Sequence, residues 1–318
     1  MPSTTFEYLR IRYSSFSVAA VSGDRRDVLI SAEDLARNPG AYAILDATVS
    51  FPKPRFDGDY RPECGFAEWE RAHIPGSVHA DLLVDFSAAD AKLHFSRPAP
   101  EQLANALAKL GVAPGTEIVV YDQGANTWSA RLWWMLRNIG IAARVLDGGF
   151  ERWVALGLPV ETGAGDRRPA VDPYAAPTDR GLWRDRDDVL AVSAGEASGT
   201  LVCALDPEQF AGTATTRYSR RGHIPGSRNL PAKSLLDGGL LRPVVTVSAH
   251  VDAVLGDAER PVILYCGGGV SACLVALALV RAGLDEPAVY DGSLEEWTAD
   301  PALPMVSAAI EVDREGNA

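Results

Sequence analysis

The sequence lacks any apolar run of the roughly 18 residues that a membrane-spanning helix requires. It is also poor in basic residues: Lys and Arg total 30 against 42 Asp and Glu, so the 318-residue chain has a formal net charge of −12. An acidic chain is a poor partner for nucleic acid or for an anionic membrane surface. The stretch from Met1 to Val28 has no continuous apolar segment of the secretory type. We therefore expect a cytoplasmic protein that binds neither nucleic acid nor membrane.

Cysteine is scarce, and the four cysteines form no C-x-x-C pair. The usual sequence signatures of a zinc site and of a redox dithiol are therefore absent, as is typical of a reduced, cytosolic protein. Cys203 ends an apolar run and Cys273 falls in a predicted helix, so we expect both to be small core residues. Cys64 lies in a segment rich in Pro and Gly, and its role stays open. The fourth is Cys266.

Several sequence signals occur twice, in the same order and at similar spacing. The string from His73 to Ser77 returns letter for letter from His223 to Ser227. Such repetition indicates two tandem copies of one α/β unit, and the alternation of strand and helix patterns implies a mostly parallel sheet in each copy. The other matched segments are 42–46 with 201–205, 118–121 with 262–265, and 144–153 with 288–297.

The composition agrees with a two-domain globular chain. Hydrophobic residues make up 47% and charged residues 23% of the 318 residues. The predicted fold class is α/β, with two tandem domains that each hold a mostly parallel central sheet flanked by helices. The predicted organisation is an N-terminal extension at 1–26, a first domain at 27–160, a linker rich in Gly, Pro and Asp at 161–180, a second domain at 181–306 and a polar tail at 307–318.

The chemistry concentrates in one strand-loop-helix segment of the second copy. A short apolar strand at 262–265 is followed by Cys266, three glycines and an Ala- and Leu-rich helix that stops at Gly283. Backbone amides of such a loop point into a concavity and stabilise an anion, which favours the thiolate form of the cysteine, the nucleophilic form. The first copy has Asp122 at the same place. We therefore predict one active copy, with Cys266 as its nucleophile.

Two other interpretations of this loop fit the sequence less well. Gly267-x-Gly269-x-x-Ala272 satisfies the relaxed dinucleotide fingerprint after a strand, but that fingerprint usually opens its domain and here it comes late. A cysteine phosphatase needs an arginine six residues after the cysteine to hold phosphate, and Ala272 stands there. A phosphatase is excluded by this substitution.

The repeated His-Ile-Pro-Gly-Ser strings, the Asp-Gly-x-x-x-x-Trp endings and the strand-Cys-loop-helix segment resemble tandem rhodanese-domain sulfurtransferases, which comprise thiosulfate and 3-mercaptopyruvate sulfurtransferases. In that family the second domain carries the cysteine and the site lies between the domains. The resemblance implies that Cys266 cycles through a persulfide. The residues expected to cradle the persulfide anion with their amides are Gly267, Gly268, Gly269, Val270, Ser271 and Ala272.

The resemblance also suggests substrate-binding residues, although some positions differ from the family pattern. The Cys266 loop is closer to the Cys-Gly-Ser-Gly-Val-Thr-Ala type of mercaptopyruvate enzymes than to the basic loops of thiosulfate enzymes. Gly268 replaces the serine of a proposed Ser-His-Asp relay, although His73 matches the histidine and is a candidate proton relay. Of two substrate-gripping arginines, the first falls on Gln209 and the second matches Arg217 after a one-residue gap. Both donors therefore stay open.

The sequence thus predicts a sulfurtransferase that moves a sulfane sulfur from a small anionic donor to cyanide or to a thiol acceptor such as glutathione or thioredoxin. No metal or organic cofactor is needed. The alternative is a rhodanese-fold persulfide carrier, sensor or binding module without turnover. This alternative is suggested by Gln209 and Gly268, which replace an arginine and a serine of the family pattern.

Overall fold

A computed structural model describes residues 28–165, 168–175 and 177–308. The expected N-terminal extension and most of the expected polar tail lie outside the described residues. Within them, each predicted domain contains a five-stranded, all-parallel sheet. The strands of the first sheet are β1 (Leu29–Ile30), β2 (Tyr42–Asp46), β5 (Val78–His79), β6 (Glu117–Tyr121) and β7 (Ala143–Leu146), and a separate antiparallel pair comprises β3 (Val49–Ser50) and β4 (Glu63–Cys64).

The second sheet repeats the first. Its strands are β8 (Trp183–Arg184), β9 (Thr200–Cys203), β10 (Arg228–Asn229), β13 (Val262–Tyr265) and β14 (Ala288–Tyr290). The spatial order is β1-β7-β6-β2-β5 in the first sheet and β8-β14-β13-β9-β10 in the second, the same order for corresponding strands. Outside this sheet, β11 (Leu236–Asp237) and β12 (Leu240–Leu241) form an antiparallel pair.

Helices alternate with the parallel strands in both domains, as the predicted α/β fold class requires, and that prediction is confirmed. The first domain contains α1 (Ala32–Arg37), α2 (Phe66–Arg71), α3 (Pro100–Lys109), α4 (Thr127–Asn138) and α5 (Gly149–Ala155). The second contains α6 (Arg186–Ser193), α7 (Pro207–Ala211), α8 (Val244–Leu255), α9 (Ser271–Arg281) and α10 (Ser293–Ala299).

The corresponding helices α4 and α9 pack against each other and form the centre of the contact between the domains. Both are buried along nearly their whole length, because each covers its own sheet on one side and its counterpart on the other. Trp133 and Trp134 of α4 are fully buried there, as expected for core or interface side chains. One apolar core therefore runs through both domains and fixes the loops that precede the two helices.

The predicted linker follows the surface of the first domain. Glu161 forms a backbone bridge with His73, and the Val171 amide donates to the Ala108 carbonyl at 3.0 Å. No helix among the described residues is long and apolar enough to cross a membrane.

Candidate active site

Cys266 lies directly after β13, at the carboxyl end of the parallel strands, where ligand sites of open α/β sheets form. The residue is only 2% exposed and lines a cavity of about 190 Å³ between the domains. Residues 266–270, between β13 and α9, form the Cys266 loop. The side chain therefore faces a cavity of small-molecule size, although little of it reaches bulk solvent.

A buried serine holds this loop in shape. The amides of Cys266 and Gly269 both donate to Ser293 Oγ, at 3.1 and 3.0 Å, and Ser293 Oγ donates to the Tyr290 carbonyl at 2.8 Å. Ser293 has φ +48°, a left-handed conformation that costs a non-glycine residue about 1–2 kcal/mol. The sequence pattern alone assigns the Gly269 amide to the anion cradle. The structure corrects this, because that amide already serves Ser293.

The first domain shows which amides of such a loop can hold an anion. Asp122 is 1% exposed, and its Oδ1 accepts the amides of Gly124 at 3.0 Å and Asn126 at 3.1 Å. Its Oδ2 accepts the amides of Trp128 and Ser129, both at 2.9 Å. Burial raises the pKa of Asp122, and the amide of Ser129 opposes that shift. A carboxylate thus fills the concavity in the first domain.

Because β6 and β13 end, and α4 and α9 begin, at matching positions, the same amides can be located in the second domain. They belong to Gly268, Val270, Ala272 and Cys273. The Cys273 amide donates to the Val270 carbonyl at 3.0 Å, and the other three donate to no acceptor among the described residues. Gly268, Val270 and Ala272 therefore remain as donors for an anion beside Cys266.

Arg217 lines the same cavity and is held by the first domain. Its Nη2 donates to the carbonyls of Phe51 at 3.2 Å and Pro52 at 2.6 Å, and its guanidinium carbon lies 3.9 Å from the centroid of the Phe51 ring. Its Nε is buried and has no hydrogen-bond partner among the described residues. Burial lowers the pKa of Arg217. An unpaired buried donor on a cavity wall suits an anionic ligand. Gln209 of α7 lines the cavity as well.

Two tyrosines that the sequence analysis missed complete the wall beside the loop. A Cβ atom on Gly267 would lie 1.3 Å from the Tyr218 hydroxyl, and one on Gly268 would lie 2.8 Å from the Tyr60 hydroxyl. The glycines are therefore needed for these phenols to approach the loop. Burial raises the pKa of both phenols, so both stay protonated and able to donate. No sequence signal pointed to Tyr60, which comes from a loop of the first domain.

His73, the candidate proton relay, does not line this cavity. It is therefore not placed to relay a proton to a ligand there. Its ring is fully buried, stacks on Trp69 at 4.2 Å and has Nδ1 at 2.9 Å from the Trp69 carbonyl oxygen. His223, its repeat counterpart, stacks on Phe210 at 3.7 Å and bonds the Phe210 carbonyl oxygen at 2.8 Å in the same way. The two histidines perform the same structural task in the two domains.

The first domain contributes further to the cavity and to the loop. Phe51, Phe95 and Trp128 form an aromatic wall opposite the Cys266 loop. Outside the cavity, the fully buried Arg131 of α4 donates to the Gly269 carbonyl at 3.2 Å. The sequence pattern indicates a core or interface role for Trp128 and does not single out Arg131. Only the docking of the two domains reveals these contacts.

A family model described as "Rhodanese-like domain" matches residues 31–156 and 206–300. The thiosulfate sulfurtransferase of Gallus gallus is 30% identical over 258 residues, which is 80% of this chain and 85% of that protein. The 3-mercaptopyruvate sulfurtransferase of Escherichia coli K12 is 33% identical over 247 residues, 75% of this chain and 84% of that enzyme. Relatives named for either donor are thus at least 30% identical to this chain over most of its length.

Among solved structures, the crystal structure of SseA from Escherichia coli, titled as a 3-mercaptopyruvate sulfotransferase of the "Rhodanese" fold, superposes with a TM-score of 0.71. It is 30% identical in sequence, and the match covers 84% of this chain and 98% of that one. The match therefore extends over most of both chains.

Proposed function

The chain belongs to the rhodanese-like family and is a sulfurtransferase, and on that premise we propose that it transfers a sulfane sulfur through a persulfide formed on Cys266. The observation that carries the proposal is the correspondence between Asp122 and Cys266. In the first domain the amides of the loop hold a carboxylate, and in the second domain the matching amides of Gly268, Val270 and Ala272 are left for a charged sulfur.

The first half-reaction places the donor sulfur on Cys266. The thiolate attacks the transferable sulfur, a Cys266 S–S bond forms, and the bond between that sulfur and the rest of the donor breaks. With thiosulfate, sulfite leaves with the electron pair of the broken bond. With 3-mercaptopyruvate, the departing carbon takes the electron pair and the proton of the donor's own thiol, so that pyruvate leaves and the persulfide remains as its anion. Both donors are anions, which the cavity attracts through Arg217.

The second half-reaction releases the sulfur. Cyanide or a thiolate attacks the outer sulfur of the persulfide, the S–S bond breaks, and Cys266 regains its thiolate. The charge rests on sulfur before and after each step. Fixed amides therefore stabilise every state of the cycle without reorganisation.

The residues that line the cavity determine which sulfur donor can bind. Arg217 offers one buried guanidinium edge, whereas Gln209 offers only a neutral amide. Tyr60 and Tyr218 add neutral hydroxyl donors next to the loop. This set can hold three sulfonate oxygens or one carboxylate, so we propose both thiosulfate and 3-mercaptopyruvate as donors. Acceptors that we propose are cyanide and low-molecular-weight or protein thiols.

Intact mass after donor treatment tests the persulfide. We expect a gain of one sulfur with at least one of the two donors, its loss on addition of cyanide, and no gain in Cys266→Ser. Cys273→Ser is the matched control, because its thiol is fully buried and bonded to the Gly269 carbonyl at 3.1 Å. No added sulfur with either donor would overturn the proposal. Loading without steady-state turnover would instead support a persulfide carrier or sensor.

A further inference from the structure

Three side chains of the first domain meet at a place that the Cys266 cavity does not include. Cys64 Sγ lies 3.4 Å from His79 Nε2, and His79 Nδ1 lies 3.0 Å from Asp46 Oδ1. The thiol is partly exposed, whereas the imidazole is 4% and the carboxylate 0% exposed. A nucleophile, a base and a group that orients the base thus lie in a row within hydrogen-bond reach.

The topology of the sheet brings these residues together and holds them. Asp46 and His79 are direct partners across the parallel pair β2 and β5, at the carboxyl end of both strands. Cys64 is the partner of Val49 in the antiparallel pair of β3 and β4, which begins shortly after β2 ends. Gly65 is packed so closely that a Cβ there would lie 2.2 Å from the Thr48 carbonyl oxygen. The cysteine is therefore on a fixed strand and not on a free loop.

The hydrogen bonds define the state of the histidine. Asp46 Oδ1 is an acceptor, since it receives a backbone amide as well, so His79 Nδ1–H donates to it and Nε2 is left with its lone pair towards the Cys64 sulfur. Asp46 Oδ1 also accepts the Thr48 amide at 3.0 Å, which fixes the carboxylate. His79 is consequently oriented as a base for the thiol.

The groups around the sulfur keep it protonated at rest. Burial raises the pKa of the Cys64 thiol to about 11, and a hydrogen bond to the Asp81 carboxylate and the charges of Asp81 and Glu68 add to the shift. The Phe66 amide, at the start of α2, opposes them. A neutral thiol of this kind reacts when a base removes its proton during the attack, and His79 Nε2, 3.4 Å from the sulfur, is placed to do so.

The second domain shows that the fold does not require this arrangement. At the positions of Asp46 and His79 it has Cys203 and Asn229, which are partners in the pair β9 and β10. Asn229 Nδ2 donates to backbone carbonyls, those of Cys203 at 3.0 Å and Leu205 at 2.8 Å. An amide thus suffices to join these strands, so the fold itself does not require an imidazole at this position.

We propose that Cys64, His79 and Asp46 form a second nucleophilic thiol site, in the first domain, that undergoes exchange with small disulfides. The Cys64 sulfur forms a bond to one sulfur of the disulfide while the original S–S bond breaks. The Cys64 proton passes to His79 Nε2 and then to the departing thiolate, so one thiol and one mixed disulfide result. The disulfide is the oxidant, and nothing else is consumed. The site does not depend on Cys266.

The test uses the full chain with Cys266→Ser, which leaves Cys64 as the one partly exposed thiol because Cys203 and Cys273 are fully buried. Oxidised glutathione is added near neutral pH, and intact mass follows the gain of one glutathionyl group. We expect Cys64→Ser to abolish the gain and His79→Gln to slow it by at least about tenfold, in line with general-base catalysis. His250→Gln, on α8, is the matched control and should react at the unaltered rate.

The pH profile keeps the proposal testable even if His79→Gln does not fold. With a base that removes the proton during the attack, the rate in Cys266→Ser should reach a plateau well below the pKa of the Cys64 thiol, about 11. Without it, the rate should continue to rise towards the pKa of the thiol, about 11. A steady rise, or equal rates with and without the His79→Gln substitution, would overturn the proposal.

Discussion

The guanidinium of Arg131, in the first domain, donates through Nη1 to the carbonyl of Gly269 in the Cys266 loop of the second domain at 3.2 Å. Its Nη2 lies 2.6 Å from Asp291 Oδ1, and its guanidinium carbon lies over the Trp183 ring at 4.5 Å from the centroid. Arg131 is 1% exposed. The first domain therefore supports the loop of the second through a buried cation.

Arg131→Met should reduce both stability and turnover. It removes one partner of a largely buried ion pair, which costs about 3 kcal/mol, the lower end of the range because Asp291 keeps part of its surface in water. Thermal unfolding and the cyanide-acceptor assay measure the two effects. Arg131→Lys should recover part of the stability and less of the turnover, since lysine cannot reach Gly269 and Asp291 together. An unaltered turnover in Arg131→Met would show that the loop does not need this contact.

Substitutions of Ser293 can separate the effect of its backbone strain from the effect of its hydrogen bonds. Ser293→Ala retains the left-handed strain and leaves the amides of Cys266 and Gly269 without their acceptor, whereas Ser293→Gly removes the strain as well. We expect both variants to lose turnover and Ser293→Gly to be the more stable by about 1 kcal/mol in denaturant unfolding. Gly149 occupies the matching position at φ +56° in the first domain. Equal stability of the two variants would contradict the strain argument.

Gly267, next to Cys266, has to be a glycine because Tyr218 packs against it. Gly267→Ala would place a Cβ 1.3 Å from the Tyr218 hydroxyl, so the tyrosine or the loop must move. We expect turnover to fall at least about a hundredfold, as small misplacements of reacting groups cost that much. Gly40→Ala is the control, because a Cβ there meets nothing within 4 Å and its backbone is not left-handed. A Gly267→Ala protein with full turnover would show that Tyr218 does not limit the cavity.

Arg217→Lys should raise KM for an anionic donor more than it lowers kcat. It removes the buried Nε donor and the planar contact with Phe51, and a hydrogen bond to a charged group contributes about 1.5–3 kcal/mol, or roughly ten- to a hundredfold. Steady-state kinetics with each donor will show whether this side chain discriminates between thiosulfate and 3-mercaptopyruvate. Arg221→Lys is matched to it, since Arg221 pairs with Asp57 at the surface. Equal KM values in Arg217→Lys and the parent would remove Arg217 from the proposed donor site.

Much of the fold was accessible from local sequence patterns. The strands at 42–46, 117–121 and 262–265 and the helix that begins at Ser271 lie where apolar runs and glycine stops placed them. These signals are short-range: side-chain periodicity and turn chemistry act over a few residues. The repeat supplied the rest, because comparison of Asp122 with Cys266 distinguished the two copies without any coordinates.

The sequence by itself thus determined two α/β copies, their strand and helix positions, and one cysteine before a glycine-rich helix start. Only the tertiary structure decided what surrounds that sulfur: it brought Tyr60 and Arg131 to the Cys266 loop, directed the Gly269 amide to Ser293, and left His73 stacked on Trp69. It also aligned Cys64 with His79 and Asp46. The physical reason is that these contacts join residues far apart in the chain, and no local pattern records which loops meet when two sheets dock.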